Sequence, residues 1–215
     1  MATSRPSQSK VAYQLIKKRI QGKQIRPGDV ISENSLAREF GMSRTPVREA
    51  VQRFVHEGVL NSVANRGTMM TVITLRDVQE TYQIRESLEC LAVRLAAARN
   101  DVRAARRLLA ILERAAGLVE ADGAQLTTLD RQFHAEIGRQ AGNSRLERLL
   151  NATPDVDMLG AEHPHRSATP RSWEEHRAIA TAIGTHDAEA AVRTMQEHIR
   201  SSARFIATTI FGTEF

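Results

Sequence analysis

The sequence is poor in cysteine, in aromatic residues and in long apolar runs, and each shortage excludes a class of protein. Its one cysteine, Cys90, cannot form an internal disulfide, which suits a reducing compartment. No apolar run approaches the roughly 20 residues that a bilayer-spanning helix needs, and the N-terminal segment "MATSRPSQSK" lacks the apolar stretch of a secretory signal. Aromatic residues make up only 4%, which argues against a stacking surface for single-stranded nucleic acid. We therefore expect a soluble cytoplasmic protein with no membrane partner.

Positive charge is concentrated in the first third of the chain. Residues 1–75 carry 12 Lys and Arg against 5 Asp and Glu, a net charge of +7, whereas residues 76–215 carry a net charge of −2. This asymmetry indicates that one module binds a polyanion while the other does something else. A basic surface that only keeps the protein in solution is the alternative.

Two short helices are predicted in the basic half, joined by a specific turn. The segment "SENSLAREFGMSRTPVREAVQRFVHEGVL" offers Ser32 as the N-cap of the first helix and Gly41 as the residue that ends it. Ser43 or Thr45 then caps the second helix, with Pro46 in its first turn, where a missing N–H costs nothing. These helices predict a helix-turn-helix, and the strand-like segments "VLNSV" and "MMTVIT" around "ANRG" predict a β-hairpin wing.

The remainder of the chain predicts helices only. Six helical segments, without strands, repeats or a sustained heptad pattern, favour a compact bundle. In the fifth segment, Ser172 and Glu175 are predicted to form a capping box. We therefore predict a mainly α protein with two domains, a winged helix-turn-helix over residues 1–75 and an all-α bundle over residues 76–215.

One helix of the predicted bundle places an acid and an imidazole one turn apart. In "LDRQFHAEI", Asp130 and His134 share a helix face, and such a pair is common by itself. His176 and His198 lie in two other predicted helices, and bundles build ligand sites from facing helices. One carboxylate and three imidazoles can hold zinc, nickel or manganese. The alternative is that these are ordinary core histidines.

The segment "LAREFGMSRTPVREAVQRFVHEGVL" resembles the GntR family of bacterial transcription regulators, and the likeness extends from "YQLIKKRIQGKQIRPGDVISE" to the glycine of "NRGT". The second half resembles the FCD effector-binding domain of the FadR subfamily, and six helices would place it with the shorter, VanR-like members. The FCD pattern D-x-x-x-H…H…H matches Asp130, His134, His176 and His198 residue by residue. Met69 and Met70 depart from the usual wing residues.

The second helix of the predicted helix-turn-helix would enter the major groove of DNA. There an arginine can make a bidentate contact with guanine, and the wing tip can reach the minor groove. The candidate DNA-binding residues, which the family resemblance also implies, are Arg38, Arg44, Thr45, Arg48, Arg66 and Gly67. The alternative for Arg48 is a surface salt bridge with Glu39 or Glu49.

Arg85, in "YQIRESLE", matches an arginine that faces the effector cavity in the FCD domain. A guanidinium can bind a carboxylate through two parallel hydrogen bonds, so small organic acids are the expected effector class. The alternative is a salt bridge between Arg85 and Glu86 or Glu89.

Together these features predict a homodimeric, effector-controlled transcription regulator, expected to be a repressor, that binds a pseudo-palindromic operator in double-stranded DNA. A metal-dependent hydrolase that carries a DNA-binding module is the alternative, although no second acid is placed as a general base. A non-specific chromosome-coating protein would leave the Asp and His set unexplained.

Overall fold

The computed structural model describes residues 7–22, 24–99, 101–118, 123–153 and 169–213. These residues fall into two compact units: the first ends at Thr74 and the second begins at Leu75. Within them, no helix combines the length and the apolar character that crossing a membrane requires.

The first unit contains three helices and a small antiparallel sheet. Its elements in chain order are α1 (Gln8–Gln21), β1 (Val30–Ile31), α2 (Glu33–Glu39), α3 (Arg44–His56), β2 (Leu60–Val63) and β3 (Gly67–Met70). The strands lie in the order β1-β3-β2, so the predicted wing hairpin, β2 with β3, is present. The sequence analysis missed β1, because two residues are too short to show an alternating pattern. The prediction of a winged helix-turn-helix is confirmed.

The turn between α2 and α3 follows from local chemistry. The Ser32 hydroxyl accepts a hydrogen bond from the backbone N–H of Ser35 at 3.2 Å and caps the start of α2. Gly41 has a φ of +62°, the left-handed conformation that costs a side chain energy and glycine none. Ser43 occupies the N-cap position of α3 without a capping hydrogen bond from its side chain.

The core of the first unit lies between α1, α3 and the sheet. The rings of Tyr13 and Phe54 stack with their centroids 4.3 Å apart, which joins α1 to α3. Met70 is buried in this core and not on the wing surface, so its departure from the family pattern is a packing feature. The largest fully buried side chains of the unit are Ile16, Ile20, Phe54, Leu60 and Met70.

The second unit is helical throughout its described residues, which confirms the predicted fold class. It contains α4 (Leu75–Ala98), α5 (Val102–Ala116), α6 (Gly123–Gln140), α7 (Ser144–Ala152), α8 (Pro170–Gly184) and α9 (Ala188–Phe211). Helix α4 packs against α6, α8 and α9, so these four helices surround a common interior. Six helices lie in the described residues, and the predicted total stays a prediction because residues 154–168 lie outside them.

Helix α8 begins three residues before its predicted start, which corrects the capping box. Thr169 is the N-cap, its hydroxyl accepts from the backbone N–H of Ser172 at 3.3 Å, and Pro170 occupies the first turn. Ser172 is therefore buried inside the helix. Glu175 consequently lies beyond the first turn of the helix, and its carboxylate reaches another helix.

Candidate DNA interface and candidate metal centre

Helix α3 has two faces with different tasks. Val47 and Val51 are fully buried against the core and hold the helix in place. On the opposite face, Arg44, Thr45 and Arg48 are exposed and line a shallow groove. The side chains predicted to contact base edges are thus presented together on the surface.

The arginines of this face have few competing partners. Arg44 forms one long ion pair with Glu33, with 3.5 Å between Nη2 and Oε2, and its side chain is 63% exposed. Glu39 pairs with Arg19 instead of Arg48. Across the described ranges Arg48 forms no ion pair with Glu39 or Glu49, so the alternative salt bridge of Arg48 is absent there. A phosphate or base would displace little when it meets these two guanidinium groups.

The remaining DNA candidates also lie on the surface of the first unit. Arg38 is exposed at the end of α2, and its Nε donates to the backbone oxygen of Asn34 at 3.4 Å. Arg66 is exposed in the turn between β2 and β3. Asn65 and Gly67, on either side of it, have φ values of +62° and +82°, which is how the hairpin reverses direction. The side chain of Arg66 therefore stands at the tip of the wing.

The structure brings three of the predicted metal ligands together from three helices. One ligand atom each from His134 on α6, His176 on α8 and His198 on α9 lies within 4.8 Å of the other two. The ring centroids are 4.5 to 5.3 Å apart. His176 and His198 are buried and His134 is nearly so. This spacing is compatible with one ion bound by all three rings.

Asp130 joins this cluster at its edge. Its Oδ1 lies 3.4 Å from Nε2 of His176, and its side chain is 19% exposed. The α-helical spacing places Asp130 one turn before His134, so the carboxylate and that imidazole approach the cluster from the same helix. All four residues singled out in the sequence therefore converge.

The imidazoles are held in place by two kinds of contact. The Nδ1 atom of His134 makes a short hydrogen bond with Glu89 on α4, and Nδ1 of His198 lies 2.9 Å from Oε2 of Glu175 on α8. The ring of His176 packs instead against Phe133, with centroids 4.4 Å apart, and against Trp173 at 5.0 Å.

Sequence reasoning missed the roles of Glu89 and Glu175. The sequence indicates Glu89 only as a partner of Arg85, and Glu175 only as a capping acid. The bonded residues lie on different helices, 45 positions apart for Glu89 and His134 and 23 positions apart for Glu175 and His198, so no local spacing indicates either bond.

Arg85 is part of the same polar network. Its Nη2 and Nε lie 2.9 and 3.2 Å from Oε1 of Glu89, so the ion pair with Glu89 exists in the structure. Glu86 binds Arg200 on α9 instead. Burial raises the pKa of Glu89, but His134 and Arg85 lower it more, so that the pKa lies well below its usual range and the group is a carboxylate. The pKa of His134 is lowered by burial and raised by Glu89, and the net shift is upward.

Both halves of the chain match known families. Residues 8–70 match the bacterial regulatory proteins of the gntR family, and residues 80–201, more than half of the chain, match the FCD domain.

Named relatives span most of the chain. The "Uncharacterized HTH-type transcriptional regulator YdhC" of Bacillus subtilis is 31% identical over 196 residues, covering 86% of this chain and 85% of its own. The "Probable D-xylose utilization operon transcriptional repressor" of Paenarthrobacter nicotinovorans is 30% identical over 178 residues, covering 80% and 76%. Among solved structures, Escherichia coli McbR/YncC has the same fold, with a TM-score of 0.76 at 21% identity, covering 95% of this chain and 99% of its own.

The same family is indicated by the described fold, by the two family matches and by the named relatives. The hydrolase alternative is not supported, because the members of these families are transcription regulators and not enzymes. The chain belongs to the GntR family of bacterial regulatory proteins, and it is a DNA-binding transcription regulator that carries an FCD domain.

Proposed function

We propose that this protein is a homodimeric repressor whose binding to a pseudo-palindromic operator is modulated by a small organic acid, bound at a divalent metal ion in the bundle. The observation that carries the proposal is the convergence of three imidazoles and one carboxylate within a regulator whose other half is a DNA-binding domain. Its partners are accordingly double-stranded DNA, an organic acid and a second copy of the chain.

The donor set fits a transition metal. Three imidazole nitrogens and one carboxylate oxygen, from His134, His176, His198 and Asp130, suit zinc, nickel or manganese and leave room for a further oxygen ligand. When bound, the ion supplies a Lewis-acidic position for an oxygen of the effector. Arg85, whose side chain is 23% exposed, is the proposed second contact for the effector's carboxylate.

The exposed face of α3 supports the DNA-binding half of the proposal. Arg44, Thr45 and Arg48 would contact base edges in the major groove, because they lie together in the first turns of the helix and few neighbours compete for them. Arg38 would contact the DNA backbone, and Arg66 with Gly67 the minor groove.

The dimer and the direction of regulation rest on symmetry and on the relatives. A two-fold dimer presents two identical DNA-binding domains, so its operator has two related half-sites. Repression is supported by the relative in Paenarthrobacter nicotinovorans, whose name describes a repressor. The effector changes operator affinity only if it binds the DNA-competent arrangement and its alternative with different affinities.

Elemental analysis tests the metal half. Protein purified without a His-tag is expected to contain about one ion per chain, because a ligand set of this kind binds its metal tightly. The content should fall strongly in His134→Ala and stay unchanged in His56→Ala, which removes an exposed histidine outside the cluster. Full occupancy in His134→Ala would contradict the ligand set.

Footprinting tests the DNA half. On the DNA upstream of its own gene the protein is expected to protect a site with two-fold symmetry. Arg44→Ala should abolish the protection at moderate salt, whereas Arg103→Ala, which removes an exposed arginine of the second unit, should preserve it. A panel of small mono-, di- and tricarboxylic acids added to the metal-loaded protein should shift the concentration for half protection, and a panel without any shift would refute the effector class.

A further inference from the structure

We propose that Glu89 and Glu175 are positioning residues of the metal centre, each fixing one imidazole so that its Nε2 atom is presented to the ion. This inference rests on the metal site proposed above. It concerns two carboxylates that are not in the predicted ligand set and that contact the Nδ1 atoms of two candidate ligands, His134 and His198.

The first carboxylate joins α4 to α6. Glu89 is 4% exposed, and one of its oxygens, Oε2, makes the short hydrogen bond with Nδ1 of His134. The other oxygen, Oε1, accepts from both Nη2 and Nε of Arg85. Both oxygens of this buried carboxylate are therefore engaged, and its orientation is determined by a cation on one side and an imidazole on the other.

The second carboxylate repeats the arrangement between α8 and α9. Oε2 of Glu175 lies 2.9 Å from Nδ1 of His198, and Oε1 accepts from Nε of Arg171 at 3.2 Å. In both cases an arginine stands four residues before the glutamate on the same helix, and the glutamate reaches a histidine on a different helix. The two Arg–Glu–His arrangements differ in exposure, because the Arg85 side chain is 23% exposed and that of Arg171 is 77% exposed.

This arrangement decides which ring nitrogen is available. A neutral imidazole that donates its Nδ1–H to a carboxylate carries its lone pair on Nε2, so His134 and His198 would both ligate through Nε2. His176 presents the same atom, because its Nε2 is the one that lies 3.4 Å from Asp130. Carboxylates in this position orient the ring, and their loss weakens metal binding roughly 10- to 100-fold in other metal sites.

The variants Glu89→Gln and Glu175→Gln test the inference, with Glu86→Gln as the matched control. Glu86 lies on the same helix as Glu89 and also binds an arginine, but its partners are Arg200 and Gln196 and no histidine. Zinc affinity of the full-length, tag-free protein is measured by competition with a chromophoric chelator. We expect a roughly 10- to 100-fold loss in Glu89→Gln, a smaller loss in Glu175→Gln and none in Glu86→Gln.

Two spectroscopic measurements separate positioning from a general loss of structure. In the zinc-loaded wild type, ¹⁵N NMR of the histidine rings should show Nδ1–H with Nε2 coordinated at His134 and His198. The visible absorption of the cobalt-loaded protein should change in Glu89→Gln and Glu175→Gln but not in Glu86→Gln. If Glu89→Gln does not fold, the test relies on Glu175→Gln alone, because that Arg–Glu–His arrangement is the more exposed of the two.

The outcomes distinguish this inference from the proposed function. A wild type that binds none of zinc, nickel, manganese and cobalt refutes the metal centre itself. A wild type that binds zinc, together with glutamine variants at Glu89 and Glu175 that bind it as tightly as the Glu86 control, refutes the positioning role and leaves the metal centre standing. Coordination through Nδ1 at His134 or His198 also overturns the inference.

Discussion

The two units of this regulator handle polar side chains in opposite ways. In the first unit the candidate DNA-binding side chains are exposed, and Arg44 has only one long ion pair. In the second unit the three candidate histidine ligands are buried or nearly so, and His134 and His198 each contact a carboxylate from another helix. A surface that binds DNA must be able to exchange partners, whereas a buried site must satisfy its polar groups internally. The largest mutational effects should therefore differ in kind between the units.

Metal removal should produce the largest effect, and only in the second unit. If free zinc is present at about 1,000 times its dissociation constant, its removal by a chelator lowers the free energy of unfolding by about 4 kcal/mol. In His176→Ala, which lacks a fully buried ligand, the same chelator should cause little further change. Thermal unfolding with and without chelator measures this difference. Equal chelator sensitivity in both proteins would show that the stabilising metal is not bound at His176.

Loss of Arg48 should weaken DNA binding and leave stability nearly unchanged. One bidentate arginine–guanine contact contributes about 1–3 kcal/mol of discrimination, so Arg48→Ala should raise the dissociation constant for the operator by roughly 5- to 150-fold. Because the side chain is exposed and forms no ion pair with its acidic neighbours Glu39 and Glu49, the unfolding temperature should stay the same. Fluorescence anisotropy with operator and with scrambled DNA separates specific from non-specific loss. An equal loss on both DNAs would place Arg48 on the phosphates.

Adding a methyl group at Gly41, in the turn of the helix-turn-helix, should lower the free energy of unfolding because of the backbone conformation alone. Gly41 and Gly123 both have open space where a Cβ would be added, but only Gly41 has a positive φ, of +62°. Gly41→Ala should therefore cost about 1–2 kcal/mol of unfolding free energy. Gly123→Ala, at the first residue of α6, should be neutral or slightly stabilising. Equal costs in a chemical denaturation experiment would show that the strain lies elsewhere.

The smallest effect is expected at Glu86, and it should depend on pH. A hydrogen bond from Arg200 lowers the pKa of Glu86 in the folded protein, against the opposing effect of burial. A carboxyl group with a lowered folded-state pKa stabilises the fold above its unfolded pKa, and this contribution is lost as the pH falls through the folded value. Glu86→Gln should thus be less stable than the wild type at neutral pH and equal to it in acid. A stability difference that persists in acid would assign the loss to packing instead.

The part of the molecule that sequence could predict is the part fixed by local chemistry. Ser32 and Gly41 define the helix-turn-helix through a cap and a left-handed turn, both of which involve near neighbours in the chain. The start of α8 was misplaced although Thr169 and Pro170 carry a valid start signal, because Ser172 and Glu175 offered a competing one three residues later.

The candidate metal site contains contacts that local sequence patterns cannot predict. Its four candidate ligands could be proposed from residue types and a family pattern, and the structure brings their side chains together. Glu89 and Glu175 could not be proposed in this way, since their contacts join α4 to α6 and α8 to α9. Only the packing of the helices determines which carboxylate meets which ring.

The short strand β1 makes β3, one of the two strands of the wing, the central strand of a three-stranded sheet. The backbone N–H of Met70 donates to the oxygen of Asp29 at 2.9 Å, and Ile31 lies opposite Thr68, so β3 is hydrogen-bonded along both of its edges. The orientation of the wing tip therefore depends on a short segment that precedes both helices of the helix-turn-helix. We therefore expect substitutions at Val30 or Ile31 to change the orientation of the wing tip while leaving every candidate DNA-binding residue in place.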